Sequence, residues 1–334
     1  MATRASRRRF LQQSAASAGS ALALGVAAAS TRDAAAQSPA PGQPAATPAP
    51  PLSRSRRLRE LLRRPGLLVA PEAYTVVAGK LAEVRGFEAI YIGGNMMSMT
   101  YLGVPDWGVI TTTELADIGG RIAREVSIPA IVDADQAGET SLNAYRTVQL
   151  YERAGIAALH IEDSRNPKKM ETWAGPNEPS TTPLQSIGQM RERLQAAVSA
   201  RQDPDFVIIG RTVAEDVDAV IRRGQAFADA GVDVVMNSLA NMTAEQINRI
   251  AGELPVPLLG IGVPATHLRD TRMKVNIYPN IISGAAMALC DTMLQELKAS
   301  GEVGARPPLP ADVLTRVTNA SRFQDLARRW LSTP

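Results

Sequence analysis

Acidic side chains follow two consecutive apolar segments of the chain, at points where the strands of a sheet would end. Asp133 and Asp135 follow the first segment, and Glu162 ends the second. If the two segments are neighbouring parallel strands, their carboxylates point at one spot, where repulsion and burial are unfavourable without a cation. Oxygen ligands of this kind favour Mg2+ or Mn2+. The alternative interpretation is that these acids cap helices or face solvent.

Three basic residues complete the candidate chemistry. Arg211 directly follows an apolar segment, and its guanidinium can hold a carboxylate or a phosphonate through two parallel hydrogen bonds. Lys168 and Lys169 lie in the long segment 163–183, whose proline, asparagine, threonine and glycine content predicts a functional loop, often a lid. The alternatives are a surface or interface salt bridge for the arginine and an ordinary exposed basic pair for the lysines.

Short apolar runs alternate along the chain with longer segments of 3.6-residue periodicity, and these elements must position the candidate residues. Such an alternation predicts an α/β fold with a parallel sheet covered by helices, and eight units are what a closed (β/α)8 barrel requires. A doubly wound open sheet is the alternative. The predicted strands are residues 67–70, 89–93, 130–133, 157–162, 206–210, 232–237, 256–261 and 274–278, and the clearest predicted helices are residues 141–154, 184–200 and 214–230.

The composition excludes several classes of protein. The chain has 334 residues and a formal charge of +3, but residues 1–36 hold five arginines and one acid, which leaves 31 basic and 32 acidic residues in the remainder. Nucleic-acid binding therefore has little support. Cys290 is the only cysteine, which excludes an intrachain disulfide and a multi-cysteine zinc site. We interpret His160 as a packed strand residue and His267 as a surface residue at a helix start.

The amino-terminal part of the chain has the composition of a leader and a linker. The run SRRRFLQ precedes a stretch over residues 14–30 that is too short and too weakly apolar for a stable membrane anchor, and small residues come before Gln37. This pattern resembles a twin-arginine export signal, with a basic disordered tail as the alternative. We predict a signal peptide at 1–36, a proline-rich linker at 37–53 and a barrel domain at 54–334, in a periplasmic or exported protein that the twin-arginine translocase carries.

Several motifs, taken in order, resemble one known family. The runs DADQAGETSLNAYRTV, AGIAALHIEDSRNPKKM and DPDFVIIGRT, with the upstream APEAYTVVAGKLAEVRGFEAIYIGG and YLGVPDWG, are similar to the phosphoenolpyruvate mutase/isocitrate lyase superfamily over about residues 58–302. The resemblance implies a (β/α)8 barrel whose last helix is exchanged between subunits, commonly in tetramers. It also implies bound Mg2+ and a small 2-oxo or 2-hydroxy carboxylate, in which a C–C or P–C bond beside an enolate is cleaved or formed.

The resemblance also assigns a role to most candidate residues. Asp133 would bind Mg2+ directly, and other acids would hold the ion mainly through waters, namely Asp106, Asp135 and Glu162. Arg211 would clamp the substrate carboxylate, with Lys168 and Lys169 as further catalytic residues on the lid. The residues predicted to bind the substrate are Gly93, Gly94, Asn95, Asp133, Arg211 and, at the end of the sixth strand, Asn237.

Four positions depart from the family pattern. Met170 stands where the related lyases carry a cysteine that acts as acid and base, and a thioether cannot transfer a proton. Gly93 stands at a position that is commonly serine, and Ser238 and Ile261 stand where glutamate and asparagine are usual. Three functions remain open: a Mg2+-dependent carbon–carbon lyase or decarboxylase acting through a metal-stabilised enolate, a phosphonopyruvate-type hydrolase or mutase, and an exported carboxylate-binding protein with reduced catalysis.

The carboxyl-terminal segment predicts an oligomer. Residues 310–330 have the pattern of one amphipathic helix, and an isolated helix with so much apolar surface needs a partner. The helix would pack on its own barrel or on a neighbouring subunit, as the resemblance implies, and we expect a homo-oligomer, either a dimer or a tetramer. The residues on its apolar side are Val313, Leu314, Val317, Phe323, Leu326 and Trp330.

The export signal makes a prediction about the mature protein. Because small residues precede the cleavage site, processing is expected after Ala36 and removes the arginine-rich leader. Intact-mass measurement of the exported protein should therefore show a chain that begins at Gln37. Recovery of exported protein with residues 1–36 still attached would contradict the assignment.

Overall fold

The structure is a computed structural model that describes residues 53–166, 168 and 183–331. Eight parallel strands in this part of the chain form one sheet. The strands are β1 (Leu68–Pro71), β2 (Ile90–Ile92), β3 (Ala130–Asp133), β4 (Ala158–Glu162), β5 (Val207–Arg211), β6 (Val234–Ser238), β7 (Leu258–Ile261) and β8 (Val275–Tyr278). Each strand from β2 to β7 pairs with the next one in the sequence, and β8 pairs with β1.

The sheet closes into a barrel between β1 and β2. Glu72, directly after β1, forms a parallel bridge with Tyr91 of β2, and the backbone N–H of Ala73 donates to the carbonyl of Tyr91 over 2.8 Å. On its other side β1 pairs with β8 in the register Leu68↔Val275. A sheet whose first strand pairs with its last is a barrel rather than a doubly wound open sheet. The predicted (β/α)8 fold is therefore confirmed.

Helices follow the strands, and several of them begin at a capping box. In each of these, a serine or threonine side chain accepts from the N3 backbone N–H while the N3 side chain reaches back, which satisfies donors that the first turn leaves unpaired. The helices are α1 (Arg54–Arg63), α2 (Val76–Val84), α3 (Gly94–Met97), α4 (Thr112–Arg124), α5 (Ser141–Arg153), α6 (Ile187–Ser199), α7 (Val217–Asp229), α8 (Ala244–Glu253), α9 (Ala265–Leu268), α10 (Ile281–Ser300), α11 (Ala311–Thr318) and α12 (Ala320–Trp330).

Side chains alternate between the two faces of each strand, so the barrel has two apolar layers. One layer lies between the sheet and the surrounding helices, and the other fills the barrel, where Ile131 and Ala158 meet Leu58 and Leu61 of α1. Side chains two residues apart in a strand share a face. The inward-facing side chains of β3 and β4 are therefore apolar near the start of each strand and polar near its carboxyl end. The strands therefore direct Asp133, His160 and Glu162 into the barrel, and α1 packs at its opposite end.

The predicted single helix over residues 310–330 is wrong. The structure has α11 and α12 in its place, and Asn319 between them adopts a left-handed backbone with a φ of 53°. Asparagine tolerates this conformation better than other residues with a side chain, whereas a continuous helix cannot contain it. The amphipathic pattern predicted helical residues correctly but carried no signal for the break.

The predicted signal peptide at 1–36 lies outside the described residues, as does the linker at 37–53 apart from Ser53, so both stay predictions. Within the described residues the first helix, α1, begins at Arg54, and the Ser53 side chain accepts from the N–H of Arg56 and caps it. Among the residues that the structure describes, no helix is long and apolar enough to cross a membrane.

One buried hydrogen bond ties a helix to the carboxyl end of β3 and gives a stability prediction. The hydroxyl of Tyr151, on α5, donates to the carbonyl of Asp133 over 2.7 Å, and both residues are buried. Tyr151→Phe removes this donor and is expected to lower the free energy of unfolding by about 2 kcal/mol. Chemical denaturation of the two proteins measures the difference. Tyr145→Phe, at an exposed position of the same helix, is the control, and equal stabilities for the Tyr151 variant and the wild type would contradict this role.

Candidate active site

A cavity of about 270 Å3 opens at the carboxyl ends of the strands, which is where (β/α)8 enzymes place their active sites. One side is charged and follows β2 to β5, and the other side is mainly uncharged and follows β5 to β8. The lining residues are Tyr91, Gly93, Gly94, Asn95, Asp106, Asp133, Glu162, Ser164, Lys168, Arg211, Val213, Ser238, Ile261, Pro279 and Asn280.

Asp133, the last residue of β3, is held by two backbone donors. Its Oδ2 accepts from the N–H of Gly94 over 3.0 Å, and its Oδ1 accepts from the N–H of Asp135 over 2.9 Å. A Cβ atom on Gly94 would lie 3.0 Å from Oδ2, so a side chain at this position would force the carboxylate to shift. Burial opposes the charge on Asp133, but the cations of Lys168 and Arg211 and the backbone N–H of Asp135 hold the pKa of the carboxyl below its usual range.

Three further carboxylates surround the ammonium of Lys168. Its Nζ lies 3.1 Å from Oδ1 of Asp106 and 3.6 Å from Oε1 of Glu162, and it donates to Oδ1 of Asp135. Burial disfavours the charged ammonium, but these carboxylates outweigh burial and raise the pKa of Lys168 well above its ordinary value. The lysine therefore stays protonated and balances part of the negative charge.

Asp135 is the carboxyl group whose ionisation is most strongly opposed. It is buried directly beyond the end of β3, and burial, together with the negative charges of Asp133, Glu162 and Asp106, raises the pKa of its carboxyl to about 7. The attraction of Lys168 acts in the opposite direction and is not sufficient to cancel these effects. Charge balance at this end of the barrel is therefore incomplete without a further cation.

The donor set fits Mg2+. The acids contribute only hard oxygen atoms, and the space between them already accommodates a cation, the ammonium of Lys168. Within the described ranges, no three acidic, histidine or cysteine side chains converge as ligands on one point. The oxygen donors and the excess negative charge are therefore compatible with Mg2+, although the ammonium of Lys168 lies between the same carboxylates.

Arg211, the last residue of β5, faces the same cavity. Its Nη1 lies 2.8 Å from Oε2 of Glu162, and its side chain is 20% exposed. Burial opposes the charge, but Glu162 and Asp133 outweigh burial and raise the pKa of the guanidinium. In the part of the chain that the structure describes, the buried Nε of Arg211 has no hydrogen-bond partner. The guanidinium therefore retains donors for an anionic ligand.

Tyr91 and His160 form a buried aromatic pair beside Asp133. The Tyr91 hydroxyl lies 3.1 Å from Nε2 of His160, and the rings are stacked with centroids 5.8 Å apart. Nδ1 of His160 is 3.5 Å from Oδ1 of Asp133, but burial lowers the pKa of the imidazole to about 4. His160 is therefore neutral near pH 7, consistent with its interpretation as a packed strand residue.

The structure brings most of the predicted site residues together. The residues that line the cavity are Gly93, Gly94, Asn95, Asp106, Asp133, Glu162, Lys168 and Arg211, and Asp135 lies directly behind them. Asn237 is not part of the lining: it is buried, and its amide donates to the carbonyls of Thr212 and Ala214 over 2.8 and 2.9 Å. These two hydrogen bonds connect Asn237, on β6, to the backbone of the segment that follows β5.

The predicted lid is described only at its two ends. Ser164 and Leu184 form an antiparallel bridge, and the N–H of Arg165 donates to the carbonyl of Pro183 over 2.8 Å, so the loop starts and returns at one place. Lys169 and Met170 lie outside the described residues. The role predicted for Lys169 therefore stays a prediction.

Several residues of the site were missed by sequence reasoning. Tyr91 and Ser164 line the cavity, and each lies two residues from a predicted site residue, Gly93 or Glu162. Applying the same strand alternation that selected the acids would have found Tyr91. Asn280 had no comparable signal, because its place in the cavity depends on how the chain turns after β8.

A barrel with acids and an arginine gathered at its catalytic end defines an enzyme that acts on a small anion. The sequence profile of the phosphoenolpyruvate phosphomutase family matches residues 58–298 of this chain. The chain therefore belongs to the phosphoenolpyruvate mutase/isocitrate lyase superfamily, as the motifs predicted. The predicted class of enzyme, a lyase of this superfamily, is also confirmed.

Individual relatives support the assignment. An oxaloacetate decarboxylase from Paraburkholderia xenovorans is 33% identical over 84% of this chain and 95% of the relative, and a probable 2-methylisocitrate lyase 2 from Corynebacterium glutamicum is 32% identical over 83% and 89%. A crystal structure of phosphonopyruvate hydrolase with oxalate and Mg2+ superposes with a TM-score of 0.72 at 26% identity, covering 84% of this chain and all of that one. Similarity thus extends to both C–C and P–C bond enzymes.

The neutral state of His160 gives a pH prediction. Because burial depresses the pKa of its imidazole to about 4, His160 in the metal-free protein should keep the NMR shifts of a neutral ring from about pH 8 down to about pH 5. The chain has only two histidines, so a His267→Gln variant assigns the signals. A His160 signal that titrates near pH 6.5, the ordinary value for histidine, would show that burial does not depress the pKa of this imidazole.

Proposed function

We propose that this protein is a Mg2+-dependent carbon–carbon lyase that removes CO2 from a small 2-oxo dicarboxylate of the oxaloacetate type. The observation that carries the proposal is the cavity, in which the half-buried Arg211 lies beside a cluster of acids. Its volume of about 270 Å3 suits a small ligand, since it falls below the usual range for drug-sized molecules. The oxaloacetate decarboxylase relative is consistent with this substrate class.

The acidic cluster is proposed to hold the metal. Asp133 is the direct ligand, and the acids around it contribute mainly through waters, namely Asp106, Asp135 and Glu162. When bound, Mg2+ supplies a Lewis acid that stabilises the negative charge developing on the oxo oxygen. Asp133 suits the direct role because two backbone N–H groups orient its carboxylate and its pKa lies below the usual range.

The two sides of the cavity are proposed to bind the two ends of the substrate. Arg211 binds the carboxylate next to the oxo group through its remaining N–H donors. On the other side, Val213, Ser238 and Ile261 carry no charge. A carboxylate facing this side is poorly solvated, and because loss of CO2 converts it to a neutral molecule, the surroundings favour decarboxylation.

The departure at Met170 is compatible with this reaction. A lyase that releases an organic acid needs a proton donor for the leaving fragment, and a thioether cannot provide one. In decarboxylation the leaving fragment is CO2, which takes no proton, so breaking the bond does not require the cysteine of related lyases. The enolate that remains takes a proton at carbon from water in a later step to give pyruvate. Lys168 remains a proposed catalytic residue, because its ammonium holds the acidic cluster together at the cavity wall.

A coupled assay tests the proposed function. Residues 37–334 are expected to release pyruvate from oxaloacetate above the spontaneous rate in the presence of Mg2+, and EDTA should abolish the excess. Asp133→Asn should lower the rate by roughly 100-fold or more, as for loss of a main electrostatic contact. Lactate dehydrogenase reports the pyruvate in both cases.

The control and the contrary outcomes are specific. Asp117→Asn, an exposed acid on α4 paired with Arg121, should retain the wild-type rate. Phosphate and pyruvate from phosphonopyruvate, with no activity on oxaloacetate, would assign the protein to P–C bond cleavage instead. An EDTA-insensitive rate, or full activity in the Asp133 variant, would show that the metal site is placed wrongly.

We also propose that the carboxyl-terminal helices pack against a second copy of the chain in a homodimer or homotetramer. In α10 only Ser283 is buried, although the helix is 20 residues long. Many of its apolar side chains, Leu314 of α11 and the large apolar side chains of α12 stand exposed on the single chain, which is unfavourable in water, whereas Val313 and Val317 of α11 are buried. The large exposed apolar residues of these helices include Ile281, Met287, Leu289, Leu294, Leu297, Phe323, Leu326 and Trp330.

Light scattering tests the oligomer. The wild type is expected to have the mass of a dimer or a tetramer, and Leu294→Glu should shift it toward the monomer because a charge would be buried in the interface. Leu142→Glu, at an exposed leucine on α5 away from these helices, is the matched control. A monomeric wild type at micromolar concentration would contradict the proposal.

We further propose that the enzyme is exported to the periplasm in folded form. The support is the sequence SRRRFLQ, the weakly apolar stretch that follows it, and the small residues before Gln37. Export after folding suits an enzyme whose site assembles from five strands before it can hold a metal.

A further inference from the structure

The turn after β3 has an unfavourable backbone. Asp135 and Ala137 have φ angles of 50° and 57°, and Gly138 has a φ of 91°. Left-handed backbone is disfavoured in residues with a Cβ atom and persists only where neighbouring groups impose it. Asp135 belongs to the acidic cluster, so the conformation of this turn determines where one of the carboxylates lies.

Arg193, on α6, imposes the turn. Its Nη1 donates to the carbonyls of Gln136 and Gly138, and its Nη2 donates to the carbonyl of Glu139 over 2.7 Å. The side chain is buried, and no carboxylate within the described residues forms an ion pair with it. A buried guanidinium whose hydrogen bonds go to three carbonyls of one turn holds that turn in a single conformation.

Gln136 extends from this turn to the next strand. Its Nε2 donates to Oγ of Ser164 over 2.5 Å and lies 3.4 Å from Oε1 of Glu162, while Oγ of Ser164 donates to the same oxygen of Glu162. Gln136 is itself buried. One carboxylate oxygen of Glu162 is therefore held by two neutral donors, and the position of the amide donor depends on the turn.

The other oxygen of Glu162 faces the cavity arginine. With Oε1 held by Gln136 and Ser164, Oε2 is left to pair with Nη1 of Arg211 at 2.8 Å. Rotation of the Glu162 carboxylate would move this contact and with it the guanidinium. Neither Arg193 nor Gln136 lines the cavity, so each acts only through other residues.

We propose that Arg193 and Gln136 are positioning residues that set the orientation of Glu162 and, through it, of Arg211. The chain of contacts runs from α6 to the turn after β3, then to β4 and finally to β5, and it connects four segments that are separated in sequence. The inference rests on the proposed function in one respect, namely that Arg211 binds the substrate carboxylate.

Binding of oxalate in the presence of Mg2+, measured by calorimetry on the full chain, tests the proposal without turnover. Gln136→Leu and Arg193→Met should each raise the dissociation constant of oxalate about 10-fold, the size of one lost hydrogen bond to a charged group. Because Arg193 acts through Gln136, the double variant should bind no more weakly than the weaker single variant. Arg191→Met, an exposed arginine of the same helix, is the control.

Two outcomes would overturn the proposal. Additive losses in the double variant would show that Arg193 does not act through Gln136, and unchanged oxalate affinity in Gln136→Leu would show that Glu162 needs no such support. If Arg193→Met does not fold, Arg193→Lys provides the comparison, since a single ammonium cannot reach all three carbonyls and should give a smaller loss of affinity.

A structural readout separates this proposal from the proposed function. In crystals of the metal-free Gln136→Leu variant, the pair between Oε2 of Glu162 and Nη1 of Arg211 should be lost or rotated from its 2.8 Å geometry. An unchanged pair overturns the positioning role. A wild type that binds no oxalate would reject the proposed function, whereas the crystal comparison would still decide whether Gln136 positions Glu162.

Discussion

The mutual repulsion of buried carboxylates at one end of the barrel is the constraint on which the rest of this structure depends. Asp133, Asp135 and Glu162 lie close together with little access to water, and the ionisation of Asp135 is opposed strongly enough to raise the pKa of its carboxyl to about 7. The chain balances this charge with the ammonium of Lys168 and the guanidinium of Arg211. Such a balance is favourable only if the groups are held in place.

The barrel holds them because parallel strands present their carboxyl ends at one rim. Most charged groups of the cluster end a strand or follow one closely, whereas Asp106 lies beyond α3. The backbone N–H of Gly94 approaches Asp133 closely enough that a side chain there would force the carboxylate to shift, and Arg193 keeps the turn after β3 in a left-handed conformation. The left-handed turn and the buried charges at this rim lower the stability of the fold. Burial of the apolar side chains on both sides of the sheet offsets this cost.

The same arrangement suits an enzyme of the phosphoenolpyruvate mutase/isocitrate lyase superfamily. Members of this group include enzymes named for C–C and for P–C bond chemistry, and the charged side of the cavity serves both, because each reaction develops negative charge on an oxygen. The other side of the cavity is uncharged and includes Val213 and Ile261. A substrate group that leaves as a neutral molecule suits such a surface better than one that keeps its charge.

The eight strands, the fold class and three of the clustered acids, namely Asp133, Asp135 and Glu162, could be predicted from the sequence because strand alternation and apolar periodicity are local properties of the chain. Asp106 was predicted only from the family resemblance. The folded structure was needed to show that Asn237 faces backbone carbonyls rather than the cavity, that Tyr91 pairs with His160, and that the carboxyl-terminal segment breaks at Asn319. It also connected Arg193 to Gln136 across 57 positions of sequence. Contacts of this kind depend on which strands and helices become neighbours and at what register, and that is settled by packing in three dimensions.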